Sequence, residues 1–204
     1  MSSFSHKGPT RADARRNSER ILDATAELLA IEPGVSLEHV AAHAGISRAT
    51  LYHHFAGRDV LLDALTVRSI AEVTAAIETA RPGAGPATEA MARVLRAAWQ
   101  VIGRHRGLVL VNPRRLERAE LRARLEPALA PVRALIDRGQ RSGEFDREVP
   151  PDWLIGVITD VIHAASREVS VGAMNAAGAE RLLLRTAGAV LTSHRTSILE
   201  GDSV

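Results

Sequence analysis

The sequence predicts an all-α protein of about nine helices. A three-helix N-terminal unit built around a helix-turn-helix is followed by a longer C-terminal helical domain. Three observations predict this. Leu, Ala, Val and Ile supply most of the apolar residues while aromatics make up only 3%, a composition that favours helices over a β-sandwich. Apolar residues recur at helical spacing in one segment after another. No segment reads convincingly as a strand, and no internal repeat is visible. A chain of 204 residues is long enough for one large domain or two small ones with a sizeable core.

Residues 1–14 carry Lys7, Gly8, Pro9 and Arg11 among polar neighbours and read as a disordered basic arm. A first helix is expected over about 15–31, where Ile21, Ala24, Leu28 and Leu29 form one stripe. Glu32-Pro33-Gly34 ends it. Ser36 caps a second helix, whose Leu37, Val40, Ala41 and Ala44 make one buried face. Gly45 closes it and suits the left-handed conformation. Ser47 caps a third helix, with Leu51 and Phe55 one turn apart on its inner side.

A longer helix follows from about Asp59 to Ala80, and "RPGAGPAT" at 81–88 breaks the chain. The next helix, about 89–105, turns Met91, Val94, Leu95, Ala98 and Ile102 inward. Residues 107–117, with Pro113, read as an irregular link. A helix running towards Arg141 contains Pro127 and Pro131, which must start turns or kink it. Two final helices are expected over about 152–171 and 178–194. The domains are therefore drawn as 1–14, 15–60 and 61–204.

Composition also excludes. There is no cysteine, so no disulfide framework and no thiolate zinc site. The N-terminus has no apolar signal core, and no run approaches the length of a membrane span. A cytoplasmic protein without membrane contact is the expectation. The net charge of +2 does not by itself argue for nucleic acid. Local charge does more. No acid lies between Glu38 and Asp59, while Arg48, Arg58, His39, His43, His53 and His54 do. Lys7 is the only lysine; the arginine preference is read as codon usage and not as function.

The second and third helices fit a helix-turn-helix, whose second helix enters the major groove of DNA. With Leu51 set towards the core, Ala49, Thr50, Tyr52 and His53 point outward, and Arg48 and His54 flank that face. Small residues let the backbone approach base edges, and hydroxyl and imidazole groups can donate to phosphates. Arg48 is suited to guanine O6 and N7. Arg58 can add a phosphate contact, and the N–H groups behind Ser36 and Ser47 suit anions.

The run "VSLEHVAAHAGISRATLYHHFAGRDVLLDAL" closely resembles the DNA-binding domain of the tetracycline-repressor (TetR) family of bacterial regulators. Ser36, Ala41, Gly45, Ile46, Ser47, Leu51, Tyr52, His54, Phe55 and Arg58 match its pattern, with Arg58 where lysine is more usual. The resemblance implies an all-α homodimer whose C-terminal helices bind a small-molecule effector and pack against the partner's. The last two helices support that pairing, through Leu154, Val157, Ile158, Val161 and Ile162 on one and Leu183, Ala187, Val190 and Leu191 on the other. The plainer reading is that both stripes face the subunit's own core.

Candidate effector contacts are Met91, Trp99, Asn112, Trp153, Asp160 and His163. Each has a plainer reading: Met91 packs, both tryptophans fill a core, Asn112 caps a turn, and Asp160 with His163 forms a local pair on a solvated face. His39 and His43 stand at i, i+4 but lack the glutamate and third ligand of a hydrolytic zinc helix, so no metal or cofactor is expected. No nucleophile-and-base pair, phosphate loop or paired-carboxylate pattern stands out, so no enzyme is expected. The reading is a repressor that binds a palindromic double-stranded DNA operator as a homodimer and is released by its effector. The alternative is a small-molecule carrier or enzyme whose head docks a protein partner.

Overall fold

The structure is a computed structural model that describes residues 11–192. Among the described residues there are nine α-helices and no strand. They are α1 (Arg11–Ile31), α2 (Leu37–His43), α3 (Arg48–His54), α4 (Arg58–Thr79), α5 (Ala87–Arg104), α6 (Arg106–Arg115), α7 (Arg118–Ser142), α8 (Pro151–Ser170) and α9 (Ala176–Leu191). Two compact units divide the chain. The first takes α1 to α3, α4 as far as Glu72, and Ile102–Arg124. The second takes Val73–Val101 and residues from Leu125 through α9.

In the first unit one core joins every element. Ile21, Leu28 and Leu29 of α1 meet Val40 and Ala41 of α2, Leu51 of α3, Leu61, Leu62 and Leu65 of α4, and Leu108 of α6. Two short helices could not stand alone in water; α1, α4 and α6 hold them. In the second unit α8 and α9 pack together. Ala179 and Leu183 enclose Trp99 of α5, with Val161, Ile162, Ala165, Val169 and Met174 around them.

Three expectations are corrected. Residues 11–14 are helical and not disordered, because α1 begins at Arg11. Asp13 stands in its first turn and pairs with Arg16, and Arg15 bonds Glu19 at 3.0 Å, both favourable near a helix N-terminus. Residues 1–10 of the expected arm lie outside the described residues, as do positions 193 and 194 of the last expected helix. The irregular link is helix α6. Its Pro113 forgoes one ladder hydrogen bond, yet the helix continues to Arg115, and Leu116 N–H closes on Asn112 O at 2.8 Å. α7 runs unbroken past Pro127 and Pro131, with Arg133 bonded to Glu126 at 2.7 Å across that stretch.

Candidate nucleic-acid interface

The interface begins with two caps and a turn. Ser36 Oγ accepts from His39 N–H at 3.2 Å, and Ser47 Oγ accepts from Thr50 N–H at 3.0 Å. Between them Gly45 adopts φ +63°. Its N–H donates to Ala42 O and the Ile46 N–H donates to Ala41 O, both at 3.0 Å. This is the paired closure in which a left-handed residue just beyond the helix satisfies the last carbonyls. A side chain from α1 locks the turn: Arg20 donates to Ala44 O at 2.5 Å and Gly45 O at 3.4 Å. A Cβ on Gly45 would lie 2.9 Å from that guanidinium.

Leu51 and Phe55 anchor α3 in the core. The opposite face is open. Ser47, Arg48, Ala49 and His53 are exposed, Thr50 and His54 half-buried, and Tyr52 keeps 44% of its surface. Thr50 and Ser47 share a hydroxyl hydrogen bond at 2.8 Å. The His53 and His54 rings meet edge to face, 5.8 Å apart. The structure thus brings Ser47, Arg48, Ala49, Thr50, Tyr52, His53 and His54 onto one short helix and its cap, with Ser36 exposed at the start of α2.

Two arginines have partners that the sequence did not show. Arg48 lies 2.6 Å from Glu38 of α2, so the acid at the edge of the acid-free window reaches into it. A bond accepted from its own backbone N–H, then the Arg48 charge, hold the Glu38 carboxyl below its ordinary value, and Ser36 also hydrogen-bonds it. Arg58, expected to face phosphate, donates to Val35 O and, at 2.6 Å, to Pro33 O. It ties the loop entering α2 to the start of α4. Arg20 and Glu38 were missed because each meets its partner on another helix or turn, only once the chain has folded.

His43 Nε2 lies 2.9 Å from Glu27 Oε2 of α1. Among the described residues no group of three potential metal ligands gathers.

The candidate effector residues fall in both units and differ in burial. Met91 and Trp99 are buried in the second unit at 2% and 3% exposure. Asn112 belongs to the first unit, buried, with its amide donating to Thr66 Oγ1 at 3.1 Å. Trp153 is 67% exposed on α8, Asp160 is exposed and His163 half-buried. The partner stripe is corrected in part. Leu154, Ile158, Leu183, Ala187 and Leu191 are all but fully buried within the single chain and have no surface left for a second copy. Val157, Val161, Ile162 and Val190 are half-buried. The second pair of apolar residues on α8, Val161 and Ile162, packs around Trp99, Ala179 and Leu183.

With this geometry in hand, known proteins show what the chain is similar to. Residues 21–65 match the family model for bacterial regulatory proteins, tetR family. The HTH-type transcriptional repressor LfrR of Mycolicibacterium smegmatis is 29% identical over 185 residues, covering 90% of this chain and 95% of that one. The crystal structure of LfrR in complex with proflavine superposes with a TM-score of 0.70 at 26% identity, covering 88% of this chain and 99% of that chain.

The chain resembles TetR-family regulators, with the family model matching residues 21–65.

PfmR of Thermus thermophilus, another TetR-family regulator, shares the fold with a TM-score of 0.69 at 24% identity, over 86% of this chain and all of that one. The matched segment contains α2 and α3, which form a helix-turn-helix of the kind that DNA-binding regulators carry. None of the described helices is long and apolar enough to cross a membrane.

Proposed function

We propose that this chain is a TetR-family repressor that binds a near-palindromic operator as a homodimer and leaves it when a small-molecule effector binds. The observation that carries the reading is the open face of α3. Arg48, Ala49, Thr50, Tyr52 and His53 stand clear of the core on a helix whose inner side is fixed by Leu51 and Phe55. A helix held in this way offers its open side to a major groove, with small and polar groups for base edges and phosphates. Residues 15–60 carry the DNA contacts in this reading, and 61–204 the effector and dimer functions.

A homodimer is supported by what the second unit leaves uncovered. Trp153 at 67% and Val171 at 75% exposure stand near the two ends of α8, and Leu182 at 47% on the outer side of α9. A two-fold dimer that pairs the outer faces of α8 and α9 with those of a second copy would cover these side chains. The chain crosses between the two units within α4, α5 and α7, so these three helices are the covalent routes for a signal. An effector acts only if it prefers the conformation that fits DNA poorly. The LfrR structure holds proflavine, which makes a planar aromatic compound the first effector to try.

The test is a mobility shift with the duplex that the purified chain selects from a randomised pool. The expected result is a dimer on a two-fold symmetric site, released by proflavine or a similar compound. A chain that binds no duplex at low salt refutes the reading.

A further inference from the structure

Glu38 and Arg48 present a juxtaposition that general DNA affinity would disfavour. Arg48 opens α3 on the surface that faces DNA, and a carboxylate from the neighbouring helix lies 2.6 Å from its guanidinium. Both side chains remain largely in solvent, 65% exposed for Arg48 and 46% for Glu38, so packing does not explain the pair. A carboxylate on a DNA-facing surface repels phosphates, even though in the first turn of α2 it also meets the positive end of that helix.

We propose that Glu38 is a specificity-determining residue that acts through Arg48. Two kinds of attraction act between such a head and DNA. Non-specific binding comes from cationic charge neutralising phosphates and releasing counter-ions. An arginine paired with a carboxylate brings no net charge, so it adds nothing to that attraction. Base recognition comes from directed hydrogen bonds. A guanidinium has five N–H donors, and a carboxylate on one nitrogen leaves others to meet guanine O6 and N7. Glu38 therefore subtracts Arg48 from the sequence-blind attraction while keeping it aimed for a base. The ligand class is a duplex offering guanine in the major groove opposite Arg48. The inference rests on the DNA-binding reading of this face.

The experiment compares the full chain with E38Q, R48A and the double variant E38Q/R48A. The probes are a random-sequence duplex and the duplex selected by the wild-type chain, each titrated over a range of salt. Thermal melting first confirms that each variant folds. Expected for E38Q is about five-fold tighter binding to the random duplex, with a salt slope steeper by about 0.9 per protomer, or about 1.8 for the dimer, the increment for one added phosphate contact in each. Its preference for the selected duplex falls by a similar factor. In the R48A background the same E38Q change alters neither quantity by more than about two-fold, because the charge it releases is gone. Three results overturn the proposal. The first is an E38Q chain that matches the wild type. The second is a loss of affinity for the selected duplex alone, which would make Glu38 itself a base reader. The third is a gain that persists in the R48A background, which would make Glu38 a general repulsive charge. Failure of the wild-type chain on every duplex is a different result, and it removes the DNA-binding reading together with this one.

Discussion

Gly107 of α6 lies directly against Leu29 of α1: a Cβ on Gly107 would stand 2.5 Å from the backbone carbonyl and the Cβ of Leu29. The two helices meet backbone to side chain, and the neighbour that must give way is main chain. Gly107→Ala is expected to cost about 1–3 kcal/mol by overpacking, more than the ~1 kcal/mol that alanine returns inside a helix. Gly103→Ala, whose nearest contact would be an arginine tip at 3.8 Å, is the control and should be neutral or stabilising. Urea denaturation checks both, and equal midpoints for the two variants would contradict this packing.

Arg58 decides between two roles by its salt dependence. Its guanidinium donates to Val35 O and Pro33 O, which casts it as a clamp on the entry to α2. Hydrogen bonds to a charged group are worth about 1.5–3 kcal/mol where water is excluded and less at a part-exposed site. Arg58→Ala is expected to lower the melting temperature and weaken DNA binding while leaving the slope of log K against log salt unchanged. A slope reduced by about 0.9 per protomer would instead assign a phosphate contact.

How far the sequence carries is clearest in α2 and α3. Val40, Ala41 and Ala44 are buried as their spacing implies, and Ser36, Gly45 and Ser47 cap and turn the chain where their chemistry says. Such signals are local, complete within one turn of helix. Pro113 misled because its cost is local, one lost ladder bond, while α6 is held by Gly107 and Leu108 packed against the α1 core. The stripe of Leu183, Ala187 and Leu191 was legible as a buried face. Periodicity says that a face is covered but not by what, and the cover is the chain's own core. Arg20, Glu38 and Arg58 were out of reach for the same reason: each finds its partner only after the turn has formed.

Arg48 and Tyr52 are expected to fail differently. Arg48→Ala should relax base preference at one position of each half-site, by about 1–3 kcal/mol of discrimination. Tyr52, 44% exposed on the same face, can offer its hydroxyl to phosphate. Tyr52→Phe should weaken binding to all duplexes alike. Competition shifts against a panel of single-base variants separate the two; a uniform loss for Arg48→Ala would strip it of the reading role.

The outer faces of α8 and α9 make the dimer testable without touching the core. Leu182→Glu and Trp153→Glu alter residues that the single chain leaves exposed, so each should give a folded monomer by light scattering and circular dichroism. Leu183→Ala is the contrast. That leucine is 1% exposed, and its truncation should cost about 2–5 kcal/mol of stability. A dimeric mass for both surface variants would move the interface elsewhere.

Glu144 links stability to acid. Its carboxylate accepts from Thr88 N–H at 3.0 Å and Thr88 Oγ1 at 3.1 Å, capping the start of α5. The backbone N–H groups of Ala87 and Thr88, with Ser142 and the Thr88 hydroxyl adding to them, pull its pKa from the ordinary 4.5 to about 2. The charged form is therefore the one the fold favours, so the stabilisation is complete above pH 4.5. As the pH falls from there towards 2, the unfolded chain takes up the proton first and the advantage drains away. Glu144→Ala should lower the melting temperature at about pH 7, and the gap from the wild-type chain should narrow steadily between pH 4.5 and 2. A gap that stays constant across that window would mean that Glu144 supports α5 by shape and not by charge.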